Sequence, residues 1–353
     1  MKLTLVHDVS LPTGALGLAI VPDGSHAFAA TADGLIHDVE LATGKTRAFE
    51  QSHQSYASGC VLLPDGGTLI SGGYDGQLIW HEVSTGRCVR RVQAHRFWNW
   101  QLALSPDGRQ LATATGQYLP GGWKYEPAAE SEFSVKVFDT ATGEQTAGFS
   151  HTPPVLSCAF SRDGRFLAAG NLMGEVRVWE VAGGSGPMAQ WTSPDFTSFG
   201  SIKTHHYCGG IYALAFAPDD QSLVGCGMGP MADPMAGNGR MTWQCWDWRA
   251  GQLLRQIREG QHGSGLMEAL AWHPGGGSFL MAGRQAQGTW NGAMFSASDG
   301  QLLASIDTRN RITQARFTMD GSHVIFAAAQ GQPKPKDGRW PAWGRVQAWS
   351  VGE

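Results

Sequence analysis

A short turn signal recurs seven times along this chain of 353 residues and constrains its fold more than any other feature. Each copy follows a short apolar run. The copies are Pro22-Asp23-Gly24, Pro64-Asp65-Gly66, Pro106-Asp107-Gly108, Arg162-Asp163-Gly164, Pro218-Asp219-Asp220, Pro274-Gly275-Gly276 and Met319-Asp320-Gly321. Their middle residues are separated by 42, 42, 56, 56, 56 and 45 positions. Self-similarity at this period indicates an array of supersecondary units, none of which buries its apolar faces alone.

The second unit shows what each repeat contains. Residues 57–63, 68–71, 77–80 and 88–92 are four short strand-like runs separated by Asp-Gly and Thr-Gly turn signals. This order predicts an antiparallel meander. Runs such as 155–160 are almost wholly apolar or small, so we expect sheets that are covered on both faces, as in a radial stack.

The last unit lacks a fourth strand. It ends with the strand-like residues 345–350, whereas residues 3–7 form a strand-like run that precedes the first unit and has no partner there. We therefore predict that the N-terminal strand pairs with residues 345–350 and completes the last sheet. The expected fold is all-β, with seven four-stranded antiparallel sheets in a single domain over residues 1–353.

Two further patterns point to a known family. Aromatic-acid pairs recur near the end of the third strand, as in Phe138-Asp139, Trp179-Glu180 and Trp246-Asp247. Three histidines each precede the first residue of a turn signal by 11 positions: His53, His95 and His151. The chain thus resembles the WD40-repeat β-propeller family over its full length. The resemblance implies seven blades, a ring closed by the N-terminal strand, and a structural hydrogen-bond set in the second unit formed by His53, Ser71, Asp75 and Trp80.

Composition narrows the classes of partner. The formal net charge of −4 offers no general attraction to nucleic-acid phosphates. No apolar run approaches the roughly 18 residues of a membrane span. The six cysteines lie far apart with no C-x-x-C pair, which indicates free thiols in a reducing compartment. We expect a cytoplasmic protein that binds neither nucleic acid nor membrane.

The longest connections all belong to one end of the sheets. They lie at about 117–132, 229–240, 284–290 and 330–343 between second and third strands, and at about 194–210 and 258–265 between units. In an antiparallel meander these two kinds of connection emerge on the same end, here called the top face. Binding sites in repeat folds commonly gather where insertions do.

Aromatic side chains are frequent in these connections and at the starts of the first strands. Because aromatic residues often anchor interfaces, they are the candidate binding residues. An equally open alternative is that they pack on one another as a lid. The top-face candidates are Tyr56, Trp98, Trp100, Tyr118, Trp123, Tyr125, His205, His206, Trp290, Arg311, Trp340 and Trp343.

Catalytic and metal-binding signals are weak by comparison. His205-His206-x-Cys208 offers imidazole and thiolate ligands, but no fourth ligand is nearby and the spacing matches no structural zinc pattern. Carboxylates such as Glu130 and Asp195 belong to the top face, yet their spacing selects no acid–base pair. No G-x-S-x-G motif is present. We expect no cofactor and no metal.

The sequence therefore favours a non-catalytic scaffold or adaptor that binds a protein or peptide on its top face. The alternative is a small-molecule-binding protein, or an enzyme of the hydrolase or lyase type, with its site in a funnel between the long top-face connections. A ligand site would show a closed cavity with converging polar groups, whereas a scaffold would show a broad aromatic surface.

Overall fold

The computed structural model describes residues 1–50, 53–119, 126–127, 129–184, 186–199, 207–231, 239–331 and 341–352, with backbone alone for 118–119, 126–127 and 207. The described residues are nearly all in strands and turns. The helical element among them is the single 3₁₀ turn Pro194–Phe196. No helix in this described part has the length and apolarity needed to cross a bilayer.

The strands form seven antiparallel sheets of four strands, which are the blades of a β-propeller, as predicted. The chain begins with β1 (Lys2–Leu11). Blade one is β2 (Ala15–Ile20), β3 (His26–Thr31), β4 (Ile36–Glu40) and β5 (Lys45–Ala48). Blade two is β6 (Ala57–Leu62), β7 (Thr68–Gly73), β8 (Gln77–Glu82) and β9 (Arg87–Gln93).

Blades three and four follow the same order. Blade three is β10 (Gln101–Leu104), β11 (Gln110–Ala114), β14 (Val135–Asp139) and β15 (Gln145–Phe149). A separate two-stranded ladder lies between its second and third strands in the sequence and consists of β12 (Tyr118–Leu119) and β13 (Glu126–Pro127). Blade four is β16 (Val155–Phe160), β17 (Phe166–Asn171), β18 (Glu175–Glu180) and β19 (Ala189–Thr192).

Blade five carries one additional strand. The short β20 (Thr197–Phe199) pairs with the start of β21 (Tyr207–Phe216), which is followed by β22 (Ser222–Met228), β23 (Met241–Asp247) and β24 (Gln252–Gln256). Blade six is β25 (Ser264–Trp272), β26 (Ser278–Gln287), β27 (Gly292–Ser296) and β28 (Leu302–Ile306). Blade seven consists of β29 (Arg311–Phe317), β30 (His323–Ala329), β31 (Gly344–Gly352) and the N-terminal β1.

The recurring turn signal has a direct physical role, shown by the turn between β6 and β7. The Asp65 carboxylate accepts hydrogen bonds from the backbone N–H groups of Gly67 (2.9 Å) and Thr68 (3.1 Å). Gly66 has a φ of +68°, a left-handed conformation that glycine adopts without steric cost. Pro64, with its restricted φ, starts the turn. The Pro-Asp-Gly sequence therefore reverses the chain and fixes the strand register.

The predicted closure of the last blade is confirmed. β1 pairs antiparallel with β31 from Lys2 opposite Gly352 to Leu11 opposite Gly344, with one register irregularity between Leu5 and His7. Leu3, Val9 and Leu11 are buried on this strand. The pairing gives blade seven the fourth strand that its own repeat lacks.

The chain divides into two compact units. One consists of Met1–Arg96, Ala271–Arg284 and Thr289–Glu353, and the other of Phe97–Leu270 and Gln285–Gly288. In the first unit, apolar residues of β1 to β4 pack with those of β30 and β31; this cluster includes Val9, Leu11, Leu18 and Ile325.

The second unit has its own aromatic-rich core. Its largest buried side chains include Trp246 and Trp248, with the Trp248 ring centroid 5.8 Å from that of Phe216. A further cluster packs Phe149 against Trp179 at 5.2 Å. Apolar residues of the first, second and third strands of these blades complete the clusters, such as Val155, Leu167 and Val137.

Candidate functional site

Three aromatic residues at the start of blade three form the clearest exposed cluster of the second unit. Phe97 stacks on Trp98 with ring centroids 4.9 Å apart and planes 18° apart, and Trp98 meets Trp100 edge-on at 5.3 Å. Trp98 is 40% exposed. We call Phe97, Trp98 and Trp100 the Trp98 cluster. Its members Trp98 and Trp100 were predicted from the sequence.

Backbone contacts hold this cluster in place. The Thr115 hydroxyl donates to the Trp98 carbonyl (2.7 Å), and the Trp100 indole N–H donates to the Gly116 carbonyl (3.1 Å). Gly116 has a φ of +126°, and a Cβ there would lie 2.7 Å from the Pro153 Cβ. Only glycine fits this close approach. The indole groups are therefore preorganised by the end of β11 and by the connection into β16.

Asn99, between the two tryptophans, is a residue that the sequence analysis missed. It has no exposed surface, and both polar atoms of its side-chain amide are buried without a hydrogen-bond partner. An unpaired buried polar group costs about 1–3 kcal/mol. Such groups are rare in folded proteins and often mark strained or functional positions.

Three candidates of the first unit are exposed or half-buried. Tyr56 is 48% exposed, and its ring centroid is 5.6 Å from that of Tyr74. Arg311 begins β29 and is exposed. Trp343 is half-buried and packs so closely that a Cβ on Gly14 would lie 2.5 Å from its ring.

Trp290 has a different environment from the one expected. It is only 6% exposed, and its ring centroid is 6.1 Å from that of Phe295 in a T-shaped contact. Trp290 therefore presents almost no surface to a partner in this structure.

The remaining candidates lie outside the part of the chain whose side chains are described. They are Trp123, Tyr125, His205, His206 and Trp340, together with Tyr118, whose backbone pairs with Pro127 in the β12–β13 ladder.

A chain of four polar side chains, three buried and one half-buried, supports blade two. His53 Nδ1 lies 2.9 Å from Asp75 Oδ1, and His53 Nε2 lies 2.9 Å from Ser71 Oγ. Ser71 Oγ in turn lies 2.9 Å from His81 Nε2. We call Asp75, His53, Ser71 and His81 the His53 relay. It ties the entry to blade two, the end of β7 and the end of β8 into one network.

The fourth member of this set differs from the prediction, which assigned Trp80. In the β7–β8 register Ser71 lies opposite Ile79, whereas Trp80 lies opposite Ile70. Successive side chains in a strand point to opposite faces, so His81 shares the face of Ser71 and Trp80 does not. Trp80 instead packs beneath the Arg90 guanidinium, 5.5 Å from its ring centroid.

The electrostatics of the relay fit a structural role. Burial alone would raise the pKa of the Asp75 carboxyl, but hydrogen bonding and charge interaction with His53 lower it overall. Burial lowers the pKa of His81 to about 3, so His81 is neutral at pH 7. The Ser71–His53–Asp75 part resembles a nucleophile–base–acid arrangement. However, Ser71 has no exposed surface, so no substrate reaches its hydroxyl in this structure.

Blade four contains the corresponding histidine in another setting. His151 Nε2 lies 3.3 Å from the Ala169 carbonyl, and its ring meets Trp179 edge-on at 6.0 Å. Its backbone N–H donates to Glu130 Oε1 (3.0 Å). Burial lowers the pKa of His151 to about 4. An alanine thus replaces the hydroxyl partner, and a backbone carbonyl accepts the histidine contact.

This same region carries the family match. A family model described as WD40, the WD domain or G-beta repeat, matches residues 143–180. These residues run from the turn before β15 to the end of β18 and include His151 and the Trp179-Glu180 pair. The chain is a seven-bladed β-propeller that contains a WD40 repeat.

WD40 propellers are generally scaffolds for protein interaction. The described residues of this chain contain no group of three or more His, Cys, Asp or Glu side chains placed to hold a metal ion. Burial raises the pKa of Cys60 and of Cys158 to about 12 each, so both thiols stay protonated. A protonated, buried thiol is neither a good nucleophile nor a metal ligand.

One cavity of this WD40 propeller has polar walls. It has a volume of about 370 Å³, and all its lining residues belong to the second unit. The lining is Pro230, Met231, Arg240, His262, Gly263, Ser264, Gln287 and Gly288. These residues lie in the long connections predicted for blades five and six, and none of them is among the binding residues predicted from the sequence.

Proposed function

We propose that this WD40 propeller is a non-catalytic scaffold that binds a peptide segment of a protein partner through the Trp98 cluster on its top face. The observation that carries the proposal is the geometry of that cluster. Trp98 remains 40% exposed although its ring is fixed by Phe97 and Trp100. A rigid aromatic side chain offers a large contact area at a low cost in conformational entropy, which is typical of interface anchors.

The buried amide of Asn99 supports the same proposal. Its two polar atoms are unpaired in the free protein. A peptide main chain supplies both an N–H donor and a C=O acceptor, so it can pair with both amide atoms. Asn99 has no exposed surface in the free protein, so this pairing requires its side chain to become accessible when the partner binds.

The proposal is tested with a displayed library of random 12-residue peptides selected on the wild-type protein. We expect enriched peptides whose affinity falls about tenfold or more in Trp98→Ala, as for a central aromatic anchor. Leu254→Ala is the matched control because Leu254 is 47% exposed on β24 of the same unit. Equal binding by wild type and Trp98→Ala would contradict the proposal, as would a library from which nothing is enriched.

Asn99→Leu separates binding from folding. Leucine has a similar volume and leaves no unpaired amide, so the variant should unfold at the same temperature as wild type or higher. If peptides use the amide, their affinity should nevertheless fall. Unchanged affinity would remove Asn99 from the proposed site without affecting the role of Trp98.

A further inference from the structure

The walls of the polar cavity are fixed by backbone hydrogen bonds. Arg240 N–H donates to the Pro230 carbonyl (3.0 Å), and Met241 N–H donates to the Gly263 carbonyl (3.0 Å). Arg240 also forms an isolated β-bridge with Ser264. The two long connections of blade five therefore meet in a defined arrangement, which a preformed ligand site requires.

Glycines allow the third wall to approach. A Cβ on Gly263 would overlap the carbonyl oxygen of Gln287, and Gly288 has a φ of +134°. Any larger residue at position 263 would push the connection at 287–288 outward. The chain thus keeps a close contact between backbone segments at the cavity, where a side chain would fill or displace it.

Four of the side chains that line the cavity can donate hydrogen bonds, namely those of Arg240, His262, Ser264 and Gln287. The Arg240 guanidinium forms no hydrogen bond or ion pair with any other described residue. His262 Nε2 has a carboxylate at 3.9 Å, Glu259 Oε2, but Glu259 is 88% exposed and is not part of the lining. No Asp or Glu is among the described lining residues.

The hydroxyl of Ser264 adds another unused polar group. Its oxygen is buried and has no hydrogen-bond partner. Arginine pairs with carboxylate and phosphate oxygens through its planar donor fork, and charge-assisted bonds of this kind are the strong ones. A site with unpaired donors and no acidic lining side chain among the described residues is complementary to an anion.

We infer that this cavity binds a small molecule through a carboxylate or phosphate group, with Arg240 as the principal partner and His262 as the second. The volume of about 370 Å³ is within the range of small-ligand sites. This inference does not depend on the peptide surface proposed for the Trp98 cluster, since the two sites share no residue.

Isothermal titration of the full-length protein with inorganic phosphate and with succinate tests the inference. We expect at least one of the two to bind with a Kd of about 0.1–5 mM, as for a small ligand held by a few charge-assisted bonds. Arg240→Gln should weaken that binding about tenfold or more, and His262→Gln should weaken it by a smaller factor. Arg240 is exposed, so its loss should leave the unfolding temperature unchanged.

Arg87→Gln is the matched control because it removes the same charge from an exposed site on β9. It should leave the Kd of phosphate or succinate unchanged. Equal weakening by Arg240→Gln and Arg87→Gln would show attraction by overall charge only and would overturn the inference. Failure of both anions to bind the wild-type protein below about 10 mM would also overturn it.

Discussion

Two leucines on β1 provide a quantitative test of how the last blade is completed. Leu11 has no exposed surface and belongs to the apolar cluster that joins blades seven and one, whereas Leu5 is 43% exposed. Both pair with β31, Leu11 opposite Gly344 and Leu5 opposite Trp349. Leu11→Ala and Leu5→Ala therefore make the same chemical change on the same strand with very different burial.

The expected magnitudes follow from that burial. A buried Leu→Ala change costs about 2–5 kcal/mol because apolar contacts are lost and a cavity remains. A change at a half-exposed site should cost less than about 1 kcal/mol. With an unfolding entropy of about 2.1 cal/mol/K per residue, 3 kcal/mol lowers the Tm of a chain of 353 residues by about 4 °C. The Tm of Leu5→Ala should fall by about 1 °C or less.

Differential scanning calorimetry gives the two Tm values, and urea unfolding followed by tryptophan fluorescence gives the midpoints. Unchanged m-values would show that the variants unfold over the same cooperative unit. The reasoning is refuted if Leu5→Ala lowers the Tm as much as Leu11→Ala does. A shift below about 1 °C for Leu11→Ala would also show that β1 is not part of the cooperative fold.

Three further predictions concern residues elsewhere in the propeller. Burial lowers the pKa of His151 to about 4 from 6.5, so only the unfolded chain takes up this proton between those values. The contribution of His151 to the free energy of unfolding is therefore complete above about pH 6.5 and falls toward pH 4. Free energies of unfolding from urea titrations should rise with pH across this range, and the slope should be up to about 1.4 kcal/mol per pH unit shallower in His151→Gln than in wild type. Gly116→Ala should lower the Tm and weaken selected peptides because its Cβ would meet Pro153 at 2.7 Å; normal peptide affinity would contradict the proposed support of Trp100. Desolvation lowers the pKa of Arg316, whose Nη1 donates to the Ala315 carbonyl, so Arg316→Met should raise the Tm by about 1–2 °C, and a fall in Tm would count against this account.

The architecture could be predicted from the sequence because it depends on local signals that repeat. Each Pro-Asp-Gly turn fixes a hairpin through a side-chain acceptor and a left-handed glycine, as Asp65 and Gly66 illustrate. The pairing of the N-terminal strand with residues 345–350 could also be predicted, because each of these two segments lacks a partner within its own unit. These features need no knowledge of side-chain packing.

The details of the blade support were harder, because a shift of one residue reverses the face of a strand. Trp80 is predicted as the fourth member of the hydrogen-bond set because it is an aromatic residue near the end of the third strand. A count back from the turn glycine would have identified His81, which precedes Gly86 by five positions as Trp246 precedes Gly251. The signal was present in the spacing, but a histidine occupies the position where other blades have an aromatic ring.

The candidate sites were only partly accessible to sequence reasoning. Trp98 could be found by its position before the turn landmark, but nothing local indicates that Trp290 packs inward on Phe295. The buried amide of Asn99 is visible only once its neighbours are placed. Similarly, Arg240, His262 and Gln287 come together through backbone contacts between segments that are distant in sequence.

The pairing of β1 with β31 has a consequence for biosynthesis. The Ser350 hydroxyl donates to the Thr4 carbonyl across a separation of 346 residues, so β1 leaves the ribosome long before its partner strand β31. At a translation rate of about 5–20 residues per second, this delay is about 20–70 s. During that time Leu3, Val9 and Leu11 have no β31 to cover them. Until β31 is synthesised, β1 is therefore a segment of the nascent chain that is exposed to aggregation.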